Sequence, residues 1–155
     1  MSAVAEIPER LVTKPSFLIT QLAVHARRIV SDGFAEAGAR GYHYRILAAL
    51  DEFGPASQID LGRRGGVDRS DVVAAVNELT AQGYVERTPD PDDRRRNVVS
   101  LTKAGARQLR RMDQVLDAVQ DNLLAPLDSD ERATLTALLT RLLAHSRDLP
   151  DGPQQ

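Results

Sequence analysis

Apolar positions recur at helical intervals over most of the chain and give way to strict alternation around one charged loop. Pro15, a residue favoured in the first turn of a helix, opens the first regular stretch, in which Leu18, Leu22, His25 and Ile29 follow at intervals of four, three and four. The spacing predicts a helix from residue 15 to about Ala37, ended by "AGARG", with a single apolar stripe that needs a partner helix. A second helix, Tyr42 to Phe53, carries Tyr44, Leu47 and Leu50 inward and stops at "FGPAS". Ser57 is placed to cap a short third helix, "QIDLGRR". Gly62, Gly65 and Gly66 weaken it, each by roughly 1 kcal/mol relative to alanine.

The clearest element is "VDRSDVVAAVNELTAQGYV", with Asp68 as N-cap, Asp71 at the third helical position and Gly83 as the stop. Val72, Val76 and Leu79 fall on one side, Ser70, Ala74, Asn77 and Ala81 roughly opposite, and Arg69 and Val73 on the flank. A helix built only for solubility would carry Lys and Glu outward, whereas a face of Ser, Ala and Asn can lie close against another surface. "YVERT" and "NVVSL" then alternate apolar and polar and read as two strands joined by the loop "DPDDRRR". A helix-turn-helix followed by a hairpin is a winged helix, with the charged loop at the tip of the wing. Thr102 caps a long helix with Leu109, Met112, Leu116, Val119 and Leu123 in heptad spacing, ended by Pro126. Asp128 and Glu131 make a capping-box start for the last helix, which carries Leu135, Leu138, Leu142 and Leu143.

The predicted fold is mainly α with a small β-hairpin. A winged helix-turn-helix (41–101) is flanked by long helices (15–40 and 102–148), with a flexible N-terminus (1–14) and a flexible tail (149–155). The flanking stripes exceed what so small a winged helix can cover. They predict an intertwined homodimer with Leu18, Leu22, Leu116, Leu123, Leu138 and Leu142 in its interface. A monomeric bundle burying the same stripes is the alternative.

Composition narrows the function. The 155 residues suit one domain with an added oligomerisation surface, and 42% apolar with 27% charged residues is the balance of a soluble globular protein. The chain has no cysteine, which excludes disulfides, thiolate metal sites and cysteine redox sensing. With no apolar leader and no membrane-length apolar run, a cytoplasmic location is expected. His25, His43 and His145 lack metal-ligand spacing, and the Gly-rich "GRRGG" follows a helix rather than a strand, so neither metal, cofactor nor enzyme chemistry is expected. The formal net charge of −2 hides an asymmetry. Residues 56–111 hold 11 basic against 8 acidic side chains, and residues 112–155 hold 3 against 8. A local basic footprint on an otherwise acidic chain fits a nucleic-acid partner.

The order of elements and the segment "VERTPDPDDRRRNVVSLTKAG" resemble the MarR family of bacterial transcriptional regulators from about residue 15 to 148. The likeness is most specific at the hairpin, where Asp93 and Arg95 match the family's Asp-any-Arg wing motif. Leu101 and Thr102 match its strand end before a long helix, and Gly105 stands in its usual place. The resemblance implies that Arg95 enters a DNA minor groove and that Asp93 orients it. Independently, the enhanced negative potential of a narrow A·T-rich minor groove favours arginine. Arg94 and Arg96 would then meet phosphates, as would Arg63, Arg64 and Arg87. The alternative for the loop acids is a turn whose Asp side chains bond their own backbone.

The helix from Asp68 to Gln82 falls where the family's recognition helix falls, which implies major-groove roles for Arg69, Ser70, Val73, Ala74 and Asn77. Arg69 suits guanine, Asn77 adenine, and Val73 or Ala74 thymine methyls. Departures from the family pattern are Gly65 in place of a Leu-like core residue, Asp71 and Val73 in place of small hydroxyl residues, and His43 in place of Gln or another polar residue. They leave the operator preference and the ligand chemistry open. Members of the family usually respond to small aromatic or anionic molecules bound between the winged helix and the dimer helices. Phe17, His25, His43 and Tyr44 are the candidates here, with ordinary core packing as their alternative. The expected function is a homodimeric regulator of a pseudo-palindromic operator in double-stranded DNA, a repressor relieved by such a ligand. A winged helix that docks proteins instead of DNA is the other reading, and it has no use for the wing arginines.

Overall fold

The computed structural model describes residues 7–148. Its elements, in chain order, are α1 (Glu9–Val12), α2 (Pro15–Glu36), α3 (Gly41–Phe53), α4 (Gln58–Gly65), α5 (Arg69–Ala81), β1 (Val85–Pro89), β2 (Asn97–Leu101), α6 (Lys103–Leu123) and α7 (Ser129–Asp148). Two compact units divide the chain, the first reaching Val119 and the second beginning at Gln120. Among the described residues no helix is long and apolar enough to cross a membrane.

The core of the first unit lies where α3, α4 and α5 meet the hairpin. Ile46, Leu47 and Leu50 of α3, Leu61 of α4, and Val72, Val76 and Leu79 of α5 are all buried, together with Val85 and Val99 from the two strands. Phe34 of α2 and Leu109 and Met112 of α6 close this core from the flanking helices. Strands β1 and β2 pair antiparallel with Val85 opposite Leu101 and Pro89 opposite Asn97, and Ala56 adds a backbone bridge to Val99. Tyr44 is only half-buried, whereas His43 and Ile46 are inward. Its ring stacks on Phe34 at a centroid distance of 5.5 Å, and its hydroxyl reaches outward to Asp113, so the amphipathic side chain settles at the core's edge.

Helix ends follow local chemistry at most places. Ser57 Oγ accepts from the Asp60 amide at 3.2 Å, and Asp128 and Glu131 exchange reciprocal backbone bonds, both 2.9 Å, in a complete capping box. Asp68 has the N-cap position of α5 but makes no side-chain cap bond. The first turn is closed by its carbonyl, which accepts from the Val72 amide at 2.9 Å. The stretch 1–14, expected to be flexible, contains the one-turn helix α1, nucleated where the Pro8 carbonyl accepts from Leu11 at 2.8 Å and Val12 at 3.3 Å. Residues 1–6 of that stretch, and the tail 149–155, lie outside the described residues.

The tightest junction joins the end of α5 to the start of α6. Gly83 has φ of +75°, the left-handed conformation that ends a helix, and the Tyr84 amide donates back to the Leu79 carbonyl at 2.9 Å. Thr102 then binds both residues, its hydroxyl donating to the Gly83 carbonyl at 2.7 Å and its amide to the Tyr84 carbonyl at 3.1 Å. The same hydroxyl oxygen caps α6 by accepting from the Gly105 amide at 3.0 Å. Gly105 has no alternative, because a Cβ there would lie 2.0 Å from the Tyr84 carbonyl oxygen and 2.7 Å from Leu101 Cδ1.

Much apolar surface stays uncovered. Leu18, Ile19, Leu22 and Val24 on α2 are exposed, and so, on α7, are Leu138, Leu139, Leu142 and Leu143, with Leu22 at 58% and Leu142 at 54%. Leu116 and Leu123 of α6 are half-buried.

The glycine contact gives a direct stability test. Gly105→Ala forces the α6 first turn away from a backbone carbonyl that cannot yield, and should cost at least about 2 kcal/mol in urea unfolding. Gly41→Ala, where the added methyl group meets nothing within 4 Å, should be neutral or slightly stabilising. Equal stability of the two variants would contradict the junction described here.

Candidate nucleic-acid interface

Two surfaces of the first unit meet the requirements for contact with a duplex. The first is the outward face of α5. Arg69, Ser70, Val73, Ala74 and Asn77 are all exposed, while Val72, Ala75, Val76 and Leu79 are buried beneath them, so the helix is divided as its sequence pattern requires. The face is low and bears one guanidinium, at its N-terminal end, where a helix inserted in a major groove reaches deepest.

The second is the wing loop. The Asp90 amide donates to the Arg96 carbonyl at 2.8 Å, and the Arg96 amide to the Asp93 carbonyl at 2.9 Å, which closes the loop between the strands. Asp90 Oδ1 accepts from the Asp92 amide at 2.9 Å. Asp93 holds Arg95 twice: its Oδ1 accepts from the Arg95 backbone amide at 3.0 Å and from Arg95 Nε at 3.2 Å. At Asp93, therefore, one carboxylate both bonds its own turn and clamps the arginine. Arg95 Nη2 lies 3.5 Å from Asp93 Oδ2, and the Arg95 side chain is 91% exposed. Arg96 Nε stands 3.7 Å from the same Oδ2, while Arg94 lines an open cavity of about 560 Å³ with Pro89, Asp90 and Pro91. These bonds from Arg95, and secondarily the Arg96 charge, hold the Asp93 carboxyl below the usual aspartate range.

The other arginines expected at phosphates are already engaged. Arg63 donates to Asp60 at 2.8 Å, the Arg64 guanidinium lies 5.0 Å above the Phe53 ring, and Arg87 donates to Asn77 at 2.5 Å. Arg63 and Arg64 remain largely on the surface, and exposed pairs of this kind are weak enough to exchange for a phosphate.

The arrangement has counterparts in known proteins. Residues 39–96 match the model of the MarR family. A probable transcriptional regulator from Pseudomonas aeruginosa has a crystal structure that is 32% identical and superposes with a TM-score of 0.74 over 83% of this chain and 96% of that one. The chain belongs to the MarR family. Within that family it is 33% identical over 97 residues to the transcriptional repressor NicR of Pseudomonas putida, covering 63% of this chain and 61% of NicR. A variant of MarR from E. coli, crystallised in complex with operator DNA, is 25% identical with a TM-score of 0.71, over 81% of this chain and 91% of that one. The chain spans a little over three fifths of the length of the curated relatives it matches first.

The four residues considered for a MarR-type ligand pocket have different surroundings. His43 is buried and its Nε2 lies 2.7 Å from Glu78 Oε2, with Arg40 3.6 Å from the other oxygen of that carboxylate. Tyr44 donates to Asp113 at 2.8 Å, and burial, then that bond, push its hydroxyl up to about 12. His25 is exposed beside Arg28, and Phe17 is half-buried on the first turn of α2. The acids Glu78 and Asp113 were not expected at any site. Each adjoins a residue of the inward stripe: Asp113 comes directly after buried Met112, and Glu78 directly before buried Leu79. An acid bordering an apolar stripe is the available signal that a polar partner lies across the helix contact.

The clamp makes a titration prediction. Because the folded Asp93 carboxyl is depressed, its ionised form and its hold on Arg95 persist across neutral and mildly acidic pH. They are lost only as pH falls through a value below the ordinary aspartate figure of about 3.9. Carboxyl-carbon NMR should show that low midpoint, and Arg95→Ala should move it up; an unmoved midpoint would contradict the clamp.

Proposed function

We propose that the chain is a homodimeric, sequence-specific DNA-binding transcriptional regulator, a repressor in its unliganded form, that places α5 in the major groove and Arg95 in the adjacent minor groove of a pseudo-palindromic operator. The observation that carries this reading is an almost fully exposed guanidinium held by its own loop carboxylate, on the hairpin directly after a helix with a small-residue outward face. An arginine aimed at solvent has little value to folding, but it needs no reorganisation when it meets a narrow A·T-rich groove. The repressor name of NicR and the operator-bound MarR variant support the same assignment. Enzyme chemistry has no support from the fold or the relatives. A wing that only docks proteins leaves the Asp93–Arg95 clamp without purpose.

The dimer rests on the exposed leucines of α2 and α7. A second copy covering Leu18, Leu22, Leu138 and Leu142 removes from water an apolar surface that single soluble chains rarely leave open. A small aromatic or anionic effector is the finer part of the reading. Its support is the half-buried Tyr44 ring, stacked on buried Phe34 where α3 of the winged helix meets a flanking helix.

Sedimentation should return about twice the 17.0 kDa chain mass at micromolar concentration, and charge introduced at Leu138 should abolish that association. Selection from random duplexes should recover an inverted repeat with half-site centres about 10 bp apart. Arg95→Ala should lose about 1 to 3 kcal/mol of binding, most on sites with A·T-rich flanks. Arg94→Ala should weaken all sequences alike and lower the salt slope by about one. Asp93→Ala removes a negative charge, so bulk electrostatics says it should bind DNA more tightly. The clamp says the opposite, and measured tightening with folding unchanged would refute it.

A further inference from the structure

On sequence grounds Asn77 reads adenine and Arg87 meets a phosphate, each on its own; the fold joins them. Alternation along β1 puts Arg87 on the same face as Val85, which is buried toward α5, and the half-buried Arg87 side chain reaches the third turn of that helix. There its Nη2 donates to Asn77 Oδ1 at 2.5 Å. A guanidinium has only donors, so chemistry fixes the amide: the oxygen of Asn77 faces Arg87, and its NH2 is the group left for a partner.

This arrangement conflicts with adenine. The paired contact to adenine needs the Asn oxygen to accept from the N6 amino group while the Asn NH2 donates to N7. The amide oxygen keeps a second lone pair, but an amino group approaching it would set its partly positive hydrogens against the guanidinium already bonded there. Guanine presents O6 and N7 there, both acceptors, and suits a site that offers only donors. We propose that Asn77 and Arg87 act as a single donor-only reading unit, and that Arg87 is a specificity-determining residue that turns Asn77 from an adenine reader into a guanine reader. Neither neighbouring acid alters this, since Glu78 lies roughly 100° around the helix from Asn77 and is bonded to His43, and Glu86 points to the other face of the strand.

The inference rests on the DNA-binding reading, and one experiment separates the two. Duplex selections are run on the full chain with wild type, Asn77→Ala and Arg87→Met. Asn77→Ala identifies the base pair that Asn77 reads, as the position whose preference flattens. In wild type that position should be guanine. In Arg87→Met, which frees the oxygen, preference there should move from guanine toward adenine by roughly tenfold, the size of one paired base contact. Adenine at that position in wild type overturns the proposal, and this outcome does not depend on whether Arg87→Met folds. So does a folded Arg87→Met that weakens every sequence equally with guanine retained, which would return Arg87 to the phosphates, and so does an Asn77→Ala profile with no position flattened. Failure to recover any repeat with wild type would overturn the DNA reading and this inference with it.

Discussion

The placement of both candidate DNA-contacting surfaces depends on the close approach of the first turn of α6 to the Tyr84 carbonyl. Gly105 permits it, since any side chain there would overlap a backbone oxygen, and Thr102 secures it by bonding Gly83, Tyr84 and Gly105 together. Gly83 ends α5, Tyr84 precedes β1, and Thr102 follows β2, so this one contact fixes the end of the helix and both roots of the hairpin. A wing that pivoted at its roots could not keep Arg95 at a constant distance from α5. Rigid placement of both surfaces is what binding two adjacent grooves demands.

Above that base, the polar contacts of the first unit work across elements. Asn77 with Arg87 links α5 to β1, His43 with Glu78 links α3 to α5, and Tyr44 with Asp113 links α3 to α6. Each gives a half-buried or buried polar group (Arg87, His43, Tyr44) a bonded partner on another element, so each contributes to a unique arrangement more than to raw stability. Together they tie α5 to β1 and α3, and α3 to α6.

What could be read from the sequence follows from the range of the interactions concerned. The wing, the Thr102 cap, the Asp128–Glu131 box and the division of α5 into buried and exposed faces all arise from residues within a turn or two of each other, where spacing rules apply directly. Partners separated by 10, 35 and 69 positions were not legible, because nothing in local spacing says which acid or amide will face which base across a helix contact. Two local features were misleading. Tyr44 has an apolar ring but a hydroxyl that holds it at the core's edge, and "IPERLV" carries too weak a stripe to announce α1, which Pro8 nevertheless starts. Asp68 takes the N-cap position that its residue type predicts, with its backbone carbonyl and not its side chain closing the turn.

The proposed reading of the minor groove by Arg95 depends on groove shape. The most direct measurement uses duplexes in which adenines flanking the selected half-sites are replaced by 2,6-diaminopurine. The replacement leaves the major-groove edge unchanged and places an amino group in the minor groove, widening it. Wild type should lose affinity on the substituted duplex, while Arg95→Ala should bind substituted and unsubstituted duplexes equally. An equal loss in both proteins, or no loss in wild type, would contradict minor-groove reading by the wing.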